Sequence, residues 1–370
     1  MERYGRMARV SENDKGSVGF MDTIFRNSDF KLCYLPVPKG YPYSQTHAGV
    51  AYSEKGIGGH HWFVVSSPYP NPQRSFLERG VRFFCRKVLR MRIRPSDWFE
   101  NPMLYFGEDS IEPPITFTPF PNNPLMDTPE DTYGSGAFNS DPDIYIENDT
   151  IYVLNREIKR KVGDNGVLSY LTKIYLIRIL FNNGEFQAFK PLCLFNYDYA
   201  NASPSLLFFR NKYRIFSLVT SSYNTGEPCE YAEMRISDSV DGPYDETYKI
   251  CVETIDFHPW HFSVFSYNDR LYSIVACIKG NEKQRCYQML GEFSDDLSTL
   301  HIFQMPLTNL KSYRGDAIVL SDDKFVLYTS IIESFPESHS VDGRDILMAG
   351  QDFNLLLHRL REYEKKNIDM

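Results

Sequence analysis

The segment Asn139-Ser140-Asp141-Pro142-Asp143 sets two carboxylates two residues apart at the head of an apolar stretch, Ile144–Ile146. Residues two apart on a strand share a face. Asp141 and Asp143 can therefore clip a divalent cation or bond turn backbone, while Asp143 with Glu157 or Asp316 could supply an acid and a base. No further oxygen ligands are evident beside them, so no metal or cofactor is expected. The same grammar returns as Ala202-Ser203-Pro204-Ser205-Leu206, Trp260-His261-Phe262-Ser263-Val264 and Arg314-Gly315-Asp316-Ala317-Ile318, with a weaker copy at Thr46-His47-Ala48-Gly49-Val50. The set His47, Asp141, Asp143, Ser203, His261, Arg314 and Asp316, with Glu100 and Asn101 nearby, supplies carboxylates, imidazoles and a guanidinium. Brought together, these suit a polyhydroxylated ligand.

The elements that must bring them together are strands. Each polar cluster opens an apolar strand, a charged or Asn-bearing turn follows, and a second apolar strand comes after it: Ile144–Ile146 with Ile151–Leu154, Leu206–Phe209 with Tyr213–Leu218, Val264–Tyr267 with Leu271–Ala276, and Ala317–Leu320 with Phe325–Tyr328. Copies begin at 47, 141, 203, 261 and 315, at intervals of 94, 62, 58 and 54 residues. A repeat of this length with three or four strands predicts an all-β, five-bladed β-propeller, whose innermost strands line a central channel. The polar clusters then converge on the axis. His60-His61 is not expected to chelate one metal, because neighbouring strand residues face opposite sides.

The long first interval holds residues 73–98, in which Arg74, Arg79, Arg82, Arg86, Lys87, Arg90, Arg92 and Arg94 face few acids. Leu77, Val81, Phe84 and Val88 recur at helical spacing. The reading is a basic amphipathic helix over 76–93 inserted in blade one, either packed and solvated or serving as a lid or docking surface for an anionic polymer, a membrane surface or an acidic partner. Residues 1–45 read as an arm and lead-in strand, with Leu32–Pro36 leading into the first repeat. Residues 46–353 read as the propeller, and 354–370 as a C-terminal helix and tail.

Composition narrows the classes. The chain of 370 residues carries 25 Tyr, 27 Phe, 22 Gly and 22 Pro, a mixture that favours short strands joined by turns. A net charge of −8 argues against bulk nucleic-acid binding. Seven scattered cysteines without a CxxC pair read as reduced thiols. No apolar leader and no transmembrane span are visible, so a cytoplasmic protein is expected. Walker A, GxGxxG, GxSxG and HExxH patterns are absent.

The five-fold pattern resembles the propellers of the arabinanase/levansucrase-like glycoside hydrolase superfamily, most of all its uncharacterised bacterial and phage members. The likeness rests on the order of short motifs: His47-Ala48-Gly49, Tyr69-Pro70-Asn71, Glu100-Asn101-Pro102, Ser140-Asp141-Pro142-Asp143 with Arg156-Glu157, and Trp260-His261. The resemblance implies a carbohydrate-active protein, a glycoside hydrolase-like enzyme acting on an oligo- or polysaccharide. Asp141 or Asp143 would be base or stabiliser, and Glu157 or Asp316 the acid. His47, Glu100, Asn101, Arg156, Ser203, Trp260, His261 and Arg314 would be substrate contacts. The chain departs from the family where it has Gly49 in place of the first-blade carboxylate, and Ser263 after Trp260-His261. That departure leaves open a catalytically degenerate propeller that binds a glycan or a protein.

Overall fold

The computed structural model describes residues 22–37, 44–68, 84, 100–107, 111–129, 137–162, 168–220, 229–280, 286–332 and 344–368. The expected basic helix lies outside these residues apart from Phe84.

Five antiparallel meanders follow one another along the chain. The first joins β2 (Gln45–Ile57), β3 (His60–Pro68), β4 (Met103–Gly107) and β5 (Phe117–Pro119). The second joins β6 (Phe138–Glu147), β7 (Thr150–Val162) and β8 (Leu168–Asn182), with β9 (Glu185–Ala188) and β10 (Leu192–Tyr197) both on β8. The third is β11 (Ala200–Phe209) to β14 (Glu246–Glu253) through β12 (Lys212–Thr220) and β13 (Cys229–Ser237). The fourth is β15 (Phe257–Tyr267), β16 (Arg270–Lys279), β17 (Cys286–Phe293) and β18 (Thr299–Ile302).

The fifth is β19 (Ser312–Val319), β20 (Lys324–Ile331) and β21 (Ile346–Asp352), completed from the other end of the chain by β1 (Lys31–Leu32). The N-terminal strand therefore pairs with the last meander, not the first. No local pattern in so short a strand names so distant a partner. This is the β-propeller that the repeats predict.

Turn chemistry explains the hairpins. Gly58-Gly59, Asn183-Gly184, Arg210-Asn211 and Asn268-Asp269 all have positive φ at both residues, the geometry of a tight two-residue connection. Apolar residues pack between consecutive blades. Val65, Leu104, Ile144 and Ile177 fill the first gap, and Leu154, Leu206 and Ile215 the next. Cys33, Leu35, Val50 and Trp62 meet Val326, Tyr328 and Met348 where the ring closes. The helix Phe353–Ile368 starts at Asp352, whose Oδ1 accepts the Leu355 N–H at 2.7 Å, and buries Phe353, Leu356, Leu357 and Leu360 against Phe265 and Phe325. No described helix is long and apolar enough to cross a membrane.

Candidate functional site

Every innermost strand slips register at the same place. The slips fall between Thr46 and Gly49, Ser140 and Asp143, Ala202 and Ser205, Pro259 and His261, and Ser312 and Gly315. Such bulges re-aim side chains. At three of them a non-glycine residue is left-handed: His47 (φ 56), Asp141 (φ 52) and Ser203 (φ 53). Each such residue costs about 1–3 kcal/mol and persists where surroundings hold it. In the last two blades the slips leave Trp260, beside His261, and Tyr313-Arg314 unpaired.

Two residues further on, a second tier clasps blade to blade. Asp143 Oδ2 accepts the Leu206 N–H at 2.9 Å, Ser205 Oγ the Val264 N–H at 3.0 Å, and Asp316 Oδ2 the Val50 N–H at 2.8 Å. Ser263 Oγ donates to Gly315 O at 3.0 Å. Gly49 is the first-blade member. A Cβ there would stand 2.9 Å from Val65 Cγ1, so any side chain at this position must displace a neighbour.

Arg314, fully buried, crosses the axis to Asp143 Oδ1 (2.8 Å) and to the carbonyls of Pro142, Pro204 and Phe262. Burial pushes Asp143 up to about 7, against the pull of Arg314 and with the help of Asp316. Asp143, Asp316 and Arg314 thus form a plug beneath the first tier. Both oxygens of each carboxylate already accept bonds.

The first tier is a different chemical object, centred on Asp141. Its Oδ2 takes the Ser203 N–H at 2.9 Å and lies 2.8 Å from Arg156 Nη2 and 3.4 Å from His261 Nδ1. Its Oδ1 takes the Ser140 hydroxyl at 3.0 Å and lies 3.0 Å from His47 Nε2, without hydrogen-bond geometry. Burial works to raise the Asp141 pKa, but Arg156, His261 and His47 overcome it and hold the carboxyl well below the usual range. Burial lowers both His47 and His261, against the attraction of Asp141.

The outer ring nitrogens are fixed by hydroxyls: His47 Nδ1 by Ser67 Oγ at 3.0 Å, and His261 Nδ1 by Ser203 Oγ at 2.8 Å. Nε2 of His261 is buried without a partner. Fixing one nitrogen so that the other faces a common point is how proteins orient metal-binding imidazoles. One ligand atom each from His47, Asp141 and His261 lies within 4.8 Å of the others. The donor set fits a divalent transition-type cation held by two histidines and one carboxylate.

A Ser-His-Asp relay needs serine and aspartate on opposite ring nitrogens. At His261 Ser203 Oγ and Asp141 Oδ2 both face Nδ1; at His47 Ser67 Oγ and Asp141 Oδ1 do stand on opposite nitrogens, but Nε2 and Oδ1 lack hydrogen-bond geometry.

Glu100 stands beside this cluster, buried, and the Ser140 hydroxyl links it to Asp141. Burial, with the Asp141 charge, pushes it up to about 7, against Ser140, Arg156 and Arg344. Arg156 also donates to Asn201 O. Asn101 bonds Asn139 and Thr128 and so holds the strand that carries Ser140 and Asp141. Tyr313, flagged by no motif, lies 5.1 Å from the His47 ring and 4.5 Å from the His261 ring, with Trp260 packed against it.

The predicted site residues therefore divide. His47, Glu100, Asp141, Arg156, Ser203 and His261 come together, and Trp260 and Asn101 flank them. Asp143, Asp316 and Arg314 lie in the plug. Glu157 faces away from Arg156 and pairs with Lys173 at 3.6 Å. His60 and His61 bond the Gly107 and Ser53 carbonyls.

No family model and no curated protein matches the chain. Solved structures do. An N-acetylgalactosamine deacetylase from F. plautii, in complex with blood group B trisaccharide, is 14% identical, covers 89% of this chain and 94% of its own, and gives a TM-score of 0.58. A family 117 glycoside hydrolase from Zobellia galactanivorans is 12% identical, with coverages of 88% and 90% and a TM-score of 0.53. A GH43 β-xylosidase/α-arabinofuranosidase from a compost microbial metagenome is 10% identical, with coverages of 83% and 91% and a TM-score of 0.50. The chain has the fold of the propeller enzymes that act on carbohydrates.

Proposed function

We propose that this chain is a carbohydrate-active hydrolase whose centre is a divalent-cation site made by His47, Asp141 and His261, and that it removes an acyl group from a sugar. The observation that carries the reading is the gathering of one ligand atom each from the buried His47, Asp141 and His261 within 4.8 Å of one another, with each Nδ1 held by a serine. A cation bound there supplies Lewis acidity toward a substrate carbonyl and acidifies a bound water. Glu100 is placed to take the water proton and return it to the leaving nitrogen or oxygen. Arg156 keeps Asp141 ionised. Ser67 and Ser203 hold the imidazoles, while Trp260 and Tyr313 wall the site with apolar surface. The deacetylase of like fold supports this choice of bond.

A second reading has one observation in its favour. Glu100 is raised and Asp141 lowered, as an acid and its partner are in glycosidases. Asp141 has an Oδ2 crowded by four groups, so it serves poorly as a nucleophile. The two readings part on product. Protein stripped with chelator and reloaded with zinc, manganese or calcium is assayed for bound metal, and for acetate and reducing ends released from a panel of acetylated oligosaccharides. One tightly bound cation, lost in His47→Ala and His261→Ala, with acetate as product, is expected. Absence of stoichiometric binding overturns the metal site, and reducing ends without acetate return the chain to glycosidase chemistry.

A further inference from the structure

Beyond the plug, a cavity of about 340 Å³ opens between the five inner strands. Asp143 and Asp316 form its inner end, Tyr52, Tyr145 and Phe208 stand along its wall, and Glu54 is at the rim. No Lys, Arg or His is among its lining residues. Asp316 is 5% exposed, accepts backbone N–H groups from Val50 and Ala317, and makes no side-chain ion pair among the described residues. Arg314 behind it is committed to Asp143. The inner end therefore sets two buried carboxyl groups against one guanidinium; burial raises both, and a cation in the cavity would favour the ionised pair that a low-dielectric surround makes costly.

A bare metal ion suits this place poorly. A hard cation wants six or more oxygens, and the carboxylate oxygens here already hold backbone N–H groups and Arg314. Aromatic faces beside an acidic floor instead match a cation that carries its own apolar groups. Phe208 is 40% exposed and turned to this mouth, although it is a large apolar side chain.

We propose that this cavity binds a small organic ammonium ion, its charge set toward Asp316 and its alkyl groups against Tyr52, Tyr145 and Phe208. The site is separated from the histidine cluster by the Arg314–Asp143 plug and does not depend on the hydrolase reading.

Calorimetric titration of the full chain with choline tests it, beside its uncharged isostere 3,3-dimethylbutan-1-ol and calcium chloride. Choline is expected to saturate one site and the isostere to give no saturable heat. Asp316→Asn should weaken choline about tenfold or more, and Phe208→Ala about fivefold. Equal binding of the isostere, calcium binding at this site in place of choline, or no binding of choline overturns the proposal. Asp316→Asn also disturbs two backbone donors, whereas Phe208→Ala removes a half-exposed ring that packs on Tyr213 and holds no backbone group. An unchanged choline affinity in Phe208→Ala therefore overturns the proposal even where Asp316→Asn does not fold.

Discussion

Arg314 on the fifth blade and Asp143 on the second meet across the propeller axis at 2.8 Å, with side chains 0% and 3% exposed. One guanidinium thereby bonds the second blade at Pro142 and Asp143, the third at Pro204 and the fourth at Phe262. Removing one partner leaves an uncompensated buried charge. Arg314→Met or Asp143→Asn should each lower stability by about 3–5 kcal/mol, and the double variant should cost less than the sum. Urea unfolding of the four proteins measures it. Additive losses would show that the two residues act independently.

Gly49 is fixed by space. Gly49→Ala should cost about 1–3 kcal/mol, because its Cβ meets Val65 Cγ1 on one side and the Asp143 backbone on the other. Gly49→Asp should be worse and should create no glycosidase activity. A stable Gly49→Asp protein that cleaves aryl glycosides would contradict this.

Glu100→Gln keeps the shape of the side chain and removes its ability to take a proton. On the proposed chemistry, kcat should fall about 10²- to 10⁴-fold, while cation content and Tm stay near those of the parent. A parallel loss of the bound cation would instead make Glu100 a positioning residue.

At the propeller rim, His301 Nε2 lies 3.1 Å from Glu364 of the C-terminal helix, with Glu253 and Glu292 also near. The bond to Glu364 raises the His301 pKa above its ordinary value, against burial. A raised folded pKa gives stability that is present below the unfolded value of about 6.5 and lost as pH climbs through the folded one. The group is well exposed, so the gain should stay under about 1 kcal/mol. Thermal melts from pH 5 to 9 should show this slope in the parent and lose it in His301→Gln.

Much of this was legible in the sequence because the inner-strand clusters repeat in register. The five bulge positions were all in the candidate set. Their division into two tiers was not legible, since Asp141 and Asp143 are the same residue type two apart, and only the bulge turns one to the site and the other to the next blade. The histidine–aspartate cluster lacked a spacing signal for the same reason. His47, Asp141 and His261 come from three blades, where metal motifs are read from ligands close in sequence. Their one shared mark is an equal place in the repeat. Glu157 was drawn in by its neighbour Arg156, although adjacent strand residues point apart.

The pairing of Lys31–Leu32 with Leu347–Met348 has a consequence for how the protein is made. The blade that shuts the ring is built from strands far apart in the chain, β1 on one side and β20 and β21 on the other. Until β20 and β21 leave the ribosome, Cys33, Leu35, Val50 and Trp62 have no Val326, Tyr328 or Met348 to pack on. The first blade must therefore wait, while the blades between are made, with one apolar flank uncovered. That flank is where a nascent chain would be caught by a chaperone, or by another copy of itself.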